Sequence, residues 1–167
     1  MNKKIAILGY GRAGKDTAAD FLDDHTPLRY GGSTSEYLCP YVAARLGFSE
    51  EEAFRRRHES DEMRTLWYDI GNELRKDDPL FLVRKVLAGG DMVVGLRDGE
   101  EVARLPEVGV DLRIWVHRDV KPDPTCKFGP EDCDVVLYNT HPTDPTPMLR
   151  RLRRLVVAMG IPCDEVG

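Results

Sequence analysis

At 167 residues, 41% hydrophobic and 32% charged, the chain has the length and composition of one soluble globular domain able to bury a core. Its apolar runs are too short for a membrane-spanning helix, and a net charge of -5 gives no global attraction to nucleic acid, although a local basic cleft is compatible with it. Four cysteines (Cys39, Cys126, Cys133 and Cys163) without a C-x-x-C pair fit neither a zinc site nor a disulfide framework, so reduced thiols are expected.

Met1-Asn2-Lys3-Lys4 leads straight into the apolar run Ile5-Ala6-Ile7-Leu8, which leaves no room for a signal peptide and sets the expectation of a cytoplasmic protein. Gly9-Tyr10-Gly11-Arg12-Ala13-Gly14-Lys15-Asp16-Thr17 follows, and then the helical pattern Ala18-Ala19-Asp20-Phe21-Leu22. Strand, glycine loop and helix in that order are the context a P-loop needs, and Gly9 and Gly14 stand at the spacing of G-x4-G-K. Glycines at 9, 11 and 14 are expected to take positive φ angles and bring the backbone close to a ligand. The loop N–H groups and the helix N-terminus then face phosphate oxygens, and Lys15 reaches the terminal phosphates as a point charge. Asp16 stands where most P-loops carry the Ser or Thr that ligates Mg²⁺, so Asp16 and Thr17 are the metal candidates.

The first helix is predicted to end at His25-Thr26-Pro27, and Leu28-Arg29-Tyr30 is a candidate short strand before Gly31-Gly32. A helix opens at Ser33 to Glu36 and stops at Gly47. Ser49 with Glu52 reads as the capping box of a further helix that continues to Lys76 with a bend at Gly71-Asn72. Met63, Leu66, Trp67, Ile70 and Leu74 form its apolar face. At roughly 100° per residue Arg57, Arg64 and Arg75 share another face, either as a solvated stripe or as a grip on phosphate. Asp78-Pro79 opens a helix over Leu80 to Leu87, closed by Gly89-Gly90. Asp91 to Gly95 is a wholly apolar strand, followed by Arg97-Asp98 and a helix over Glu100 to Leu105. Leu112 to His117 is a strand ending in Arg118, Asp119 to Asp132 an exposed loop or lid, and Val135 to Tyr138 a strand ending at Asn139. A final helix covers Thr146 to Met159, with Leu149, Leu152 and Leu155 inward and arginines at 150, 151, 153 and 154.

Alternating strands and helices predict an α/β fold: one doubly wound, parallel, five-stranded sheet of the P-loop NTPase, nucleotide-kinase-like kind over residues 1–167, with a helical acceptor region at about 33–88 and a small lid at about 118–133. Ligands in such sheets bind at the carboxyl ends of the strands, which makes Gly9 to Lys15, Arg97, Arg118 and Asn139 neighbours around one cleft. The last strand ends Tyr138-Asn139-Thr140-His141 instead of N-K-x-D, which argues against a GTPase. A helicase or transporter ATPase would need a longer chain and a Walker B acid after an apolar strand; Asp98 and Glu101 are candidates, but Arg97 comes first.

Gly-Lys-Asp-Thr at 14–17, Gly71-x-x-x-Arg75 followed by Asp78, Arg97 with Glu101, Val116-His117-Arg118 and Asp134-x-x-x-Tyr138-Asn139 together resemble the bacteriophage deoxynucleoside monophosphate kinases, within the P-loop nucleoside-monophosphate-kinase group. The resemblance runs from about Ile5 to Asn139; the lid segment Asp119 to Thr125 departs from it. It implies an ATP- and Mg²⁺-dependent kinase whose partner is a nucleotide substrate, in the host cytoplasm if phage-encoded, with a homodimer left open. It also implies roles: Gly9, Gly11, Arg12, Ala13, Gly14, Lys15, Asp16 and Thr17 around the ATP phosphates, Asn139 near the adenine, and Arg75, Arg97 and Arg118 with Lys15 and Asp16 at the transferring phosphoryl group. The plain alternatives are structural: Arg75 capping a helix, Arg97 paired with Glu101, Asn139 tying a turn. Related P-loop kinases of phages with hypermodified thymine phosphorylate 5-hydroxymethyluracil within DNA; on that alternative the arginines at 55–57 and 150–154 would be a DNA track. An alcohol acceptor of that kind would call for a base such as Asp98 or Asp16. A nucleotide-binding protein without catalysis is the third class.

Overall fold

The computed structural model describes residues 2–165. Four parallel strands, β1 (Ile5–Leu8), β2 (Met92–Val94), β3 (Leu112–His117) and β4 (Val135–Tyr138), form one sheet in the order β2-β1-β3-β4. Ile5 lies level with Met92 on one side and Leu112 on the other, and Ile114 with Val135. Helices α1 (Lys15–His25), α2 (Thr34–Leu46), α3 (Glu50–Arg55), α4 (Asp61–Arg75), α5 (Phe81–Gly89), α6 (Gly99–Arg104) and α7 (Thr146–Ala158) complete the chain.

Side chains alternate across a strand, and β1 shows how this builds two layers. Ile5 and Ile7 face Ala18, Leu22, Leu152 and Val156 of α1 and α7, whereas Ala6 and Leu8 face Val83, Val86 and Val102 of α5 and α6. Helices on both faces of a parallel sheet make the fold doubly wound, as expected. A third apolar cluster, Leu38, Val42, Ala53, Trp67 and Ile70, ties α2, α3 and α4 into the helical region beside the sheet. The inward stripe of α7 is Met148, Leu152 and Val156, one turn apart each time, with Leu149 and Leu155 only partly covered.

The expected fifth strand at Leu28 to Tyr30 is absent among the described residues, so the sheet has four strands. Its segment does lie along β2: the Asp91 N–H donates to the Arg29 carbonyl at 2.8 Å. The ladder stops there because the Asp91 carboxylate takes the Arg29 N–H, at 3.0 Å, which a strand carbonyl would otherwise accept. The single helix expected from Ser49 to Lys76 is two. Ser49 caps α3, accepting from the Glu52 N–H at 3.1 Å, and Ser60 caps α4, accepting from the Met63 N–H at 3.1 Å. The chain turns between them at 56–60, while Gly71-Asn72 sits inside an unbroken α4. The line of Arg57, Arg64 and Arg75 along one helix therefore does not exist: Arg57 precedes α4 and donates to the Phe54 carbonyl at 2.8 Å.

Candidate nucleotide-phosphate site

The loop from Gly9 to Gly14 joins β1 to α1 at the carboxyl edge of the sheet. Gly9 has φ 148°, and a Cβ there would stand 2.6 Å from the Val116 carbonyl of β3, so only glycine lets the loop lie this close to its neighbouring strand. Gly14 has φ 107°, and a Cβ would stand 2.7 Å from Asn139 Nδ2. Gly11 corrects the sequence expectation: its φ is not positive, and the left-handed residue between the two glycines is Arg12, with φ 64°. The loop closes on itself through Ala13 N–H donating to the Tyr10 carbonyl at 3.2 Å.

Lys15 begins α1 and is 8% exposed. Its Nζ donates to the Tyr10 carbonyl at 2.7 Å, which folds the side chain back along the loop. Burial and the nearby Arg97 guanidinium bring its pKa down to about 8, against the opposing charge of Asp16, Cys126 and Asp123. A cation held against a second cation is a site short of negative charge, and a polyphosphate supplies it. Asp16 and Thr17 occupy the exposed first turn of α1, and Tyr30 Oη lies 3.4 Å from Asp16 Oδ1. An accessible carboxylate beside a phosphate loop fits Mg²⁺, which keeps most of its waters and takes one or two protein oxygens.

Three other strand ends meet this loop as the topology requires. Asn139, 5% exposed after β4, donates from Nδ2 to the Ala13 carbonyl at 2.9 Å, and its N–H donates to the His117 carbonyl at 2.8 Å. It is thus a strut under the loop, the turn-tying alternative, and this bond commits its side-chain amide to the loop. Arg118, after β3, donates to the Pro142 carbonyl at 2.7 Å, with the Arg12 carbonyl at 3.5 Å. Arg97, after β2, does not pair with Glu101. Its Nε lies 3.5 Å from Asp123 Oδ2, and its Nη1 donates to the Leu96 carbonyl at 3.1 Å.

Asp123 is the residue that sequence reasoning missed. Its Oδ1 accepts from the Thr125 N–H at 2.9 Å and the Thr125 hydroxyl at 2.6 Å; burial pushes its carboxyl up, but these bonds together with the Arg97 and Arg64 charges hold it below the usual range. Asp-x-Thr is an Asx-turn signature that was readable in the chain. The lid is also less free than its composition suggested. Lys127 N–H donates to the Arg97 carbonyl at 2.9 Å, and Phe128 is buried against Trp115, ring centroids 6.0 Å apart. His58 faces the same cluster: burial and then Arg57, Arg64 and Arg97 hold its pKa below the ordinary value, with Asp123 opposing.

Arg75 stands apart from the loop. Its Nη2 donates to Asn72 Oδ1 at 2.7 Å and its Nη1 lies 3.5 Å from Glu101 Oε1. Glu101 is 1% exposed and neither of its oxygens accepts a hydrogen bond, so the pair is an ion pair without hydrogen-bond geometry. Burial holds the Glu101 carboxyl up at about 7, with Arg75 opposing, the Asp98 charge adding to the rise and the Asp98 backbone N–H opposing it. Asp98 itself is occupied at the start of α6, where its carboxylate accepts from the Glu100 N–H at 2.8 Å.

No protein-family model matches this chain, and no curated protein matches it. Among solved structures it is similar to an unliganded sugar kinase from Janibacter sp. HTCC2649, at 14% sequence identity and a TM-score of 0.49, over 96% of this chain and 98% of that one. What the loop can do chemically rests on its own residues. Among the described residues no helix is long and apolar enough to cross a membrane.

Proposed function

We propose that this protein is an ATP- and Mg²⁺-dependent phosphotransferase that transfers the γ-phosphoryl group to a deoxynucleoside monophosphate, giving the diphosphate. The observation that carries the reading is Lys15: buried at the end of a glycine loop, bonded to that loop's Tyr10 carbonyl, and pressed by Arg97. Phosphoryl transfer asks a protein for positioning and charge neutralisation more than for covalent chemistry.

On this reading the loop N–H groups and Lys15 hold the ATP phosphates, while Asp16 and Thr17 orient the hydrated metal, which when bound spreads the charge of the phosphate oxygens. Arg97 acts on Lys15 from the end of the neighbouring strand β2, and Arg118 stands by the Arg12 carbonyl at the rim. A nucleotide acceptor attacks through its own phosphate oxygen and needs no base. Of the two acids that an alcohol acceptor would call for, Asp98 caps α6, and Asp16 stands in the exposed first turn of α1, where this reading uses it for the metal. Of the arginines of a DNA track, Arg55 pairs with Glu52, Arg56 with Glu59, Arg57 with the Phe54 carbonyl, Arg151 with the Tyr138 carbonyl and Arg153 with the Asp164 carbonyl, while Arg150 and Arg154 have no such partner among the described residues. These contacts support the small acceptor over 5-hydroxymethyluracil in DNA.

The test is transfer of radiolabelled γ-phosphate from ATP to a panel of deoxynucleoside monophosphates and, side by side, to DNA containing 5-hydroxymethyluracil. Label in a diphosphate is expected. Label only in the polymer would make the protein a DNA-modifying kinase, and label in neither would overturn the proposal.

A further inference from the structure

Strand β4 is a free edge of the sheet: it pairs with β3 on one side and, among the described residues, with no strand on the other. In a parallel strand successive residues turn their N–H and C=O groups to alternate sides. Asn139 N–H bonds to the His117 carbonyl of β3, so Val136 and Tyr138 turn theirs outward. Arg151 Nη1 meets the Tyr138 carbonyl from that outer side, at 3.1 Å. The Val136 N–H and C=O and the Tyr138 N–H face an added strand. Beside this edge runs a groove of about 350 Å³, walled by Val135, Leu137 and Tyr138 and, from α7, by Arg151 and Leu155. The Tyr138 side chain is 51% exposed, the most of any large hydrophobic residue described.

Charge is divided along this edge. Glu131, Asp132 and Asp134, all exposed, lead into β4, whereas exposed Arg151 stands at its far end with His141 just beyond. Asp134 also holds Arg113, at 2.8 Å, and is shared between the two. An edge with one acidic and one basic end complements itself when reversed. A second copy added antiparallel, about a two-fold axis at Leu137, sets Tyr138 opposite Val136 of the other copy, an aromatic against a β-branched side chain. The same register sets Asp134 opposite Thr140 of the other copy, beside that copy's Arg151. Because α7 runs back along β4, Leu155, one turn after Arg151, lies nearer the axis. The two α7 helices then come side by side on one face, with Leu155 closing the groove.

We propose that the β4 edge is the interface of a symmetric dimer, in which two copies of this chain pair antiparallel and join their four-stranded sheets into one. The occupant is a second copy because the edge supplies both halves of the match itself: donors with acceptors, Tyr138 with Val136, acidic start with basic end. Arg151 does not block the pairing, since the Tyr138 carbonyl keeps a second lone pair for an N–H of the added strand. The interface is independent of the phosphotransferase reading.

The experiment joins sedimentation velocity of the full chain over a range of concentrations to NMR-detected hydrogen exchange at the Val136 and Tyr138 amides. The wild type should reach twice the mass of one chain, with both amides protected where the dimer forms. Arg151→Glu, which faces the acidic start of the other copy with a like charge, should raise the dimer dissociation constant about 10-fold or more and expose both amides. Its far-UV circular dichroism shows whether it is folded, and the wild-type measurements stand even if it is not. A dimer whose Val136 and Tyr138 amides exchange freely would place the interface on another face. A single chain at every concentration would leave the edge to a different partner if those amides are free, or to another part of this chain if they are protected. Each of these results, or undiminished dimerisation of a folded Arg151→Glu, would overturn the inference.

Discussion

Replacing Glu101 by glutamine should stabilise the protein at alkaline pH. The folded chain holds this carboxyl at about 7, against an ordinary value of 4.5. Below pH 4.5 the folded and unfolded chains both carry the proton, and the wild type has its full stability. Between 4.5 and about 7 the unfolded chain has lost the proton and the folded chain keeps it, so stability falls as pH rises and levels off above about 7. At about 1.4 kcal/mol for each tenfold change in the ionisation constant, the fall is about 3 kcal/mol. Glutamine is neutral throughout and mimics the protonated acid, in which Arg75 is already without an anionic partner, so the loss of that pairing is common to both. Arg75 keeps its bond to Asn72 Oδ1. Urea unfolding of wild type and Glu101→Gln at pH 5 and pH 8 isolates the effect, because every other titrating group cancels in the difference. The two should be nearly equal at pH 5, and the variant more stable by about 3 kcal/mol at pH 8. A variant less stable than wild type at pH 8 would refute the reasoning, since attraction to Arg75 would then outweigh desolvation.

Other outcomes follow from the phosphate loop and its supports. With Lys15 brought down to about 8, the ammonium is about half protonated at pH 8 in the free protein, and a bound triphosphate restores it. ATP binding at pH 8 should therefore take up about half a proton, and almost none at pH 6.5, as read by calorimetry in buffers of different ionisation enthalpy. Gly14→Ala places a Cβ against Asn139 on a backbone with φ 107°, and should cost on the order of 1–3 kcal/mol in denaturant unfolding and weaken ATP binding. Gly11→Ala enters open space on an ordinary backbone and should stay within about 0.5 kcal/mol of wild type in the same assay. Ser60→Ala removes the acceptor for Met63 N–H at the head of α4 and should cost about 1 kcal/mol, seen as a lower urea midpoint.

The parts of this molecule that could be read in the chain are those governed by local chemistry. β3 and β4 keep the boundaries expected of them, because β-branched and aromatic runs bounded by charged or turn residues define buried strands. Ser33, Ser49 and Gly47 mark helix ends through bonds made within a few residues. The meeting of the glycine loop with Arg97, Arg118 and Asn139 followed from the parallel sheet alone. What could not be read depends on contacts between distant segments or on competition within them. Arg29 lies along β2 but is denied a ladder by the Asp91 side chain, a bond 62 residues apart in sequence. Ser60 outcompetes the helical periodicity that runs across it, so three arginines in apparent register are divided between α4, which holds Arg64 and Arg75, and the turn before it, which holds Arg57. Arg97 does not take the Glu101 partner its spacing suggested: Glu101 lies 3.5 Å from Arg75 of α4, and the lid delivers Asp123 to Arg97.

The most direct test of the phosphate site is equilibrium binding of ATP, with Mg²⁺, to the wild type and to Lys15→Ala. The account predicts saturable binding at one site in the wild type and a loss of orders of magnitude in turnover and a large loss of affinity in the variant, with the melting temperature not lowered. Equal affinity in the two proteins, or no binding by the wild type, would contradict it.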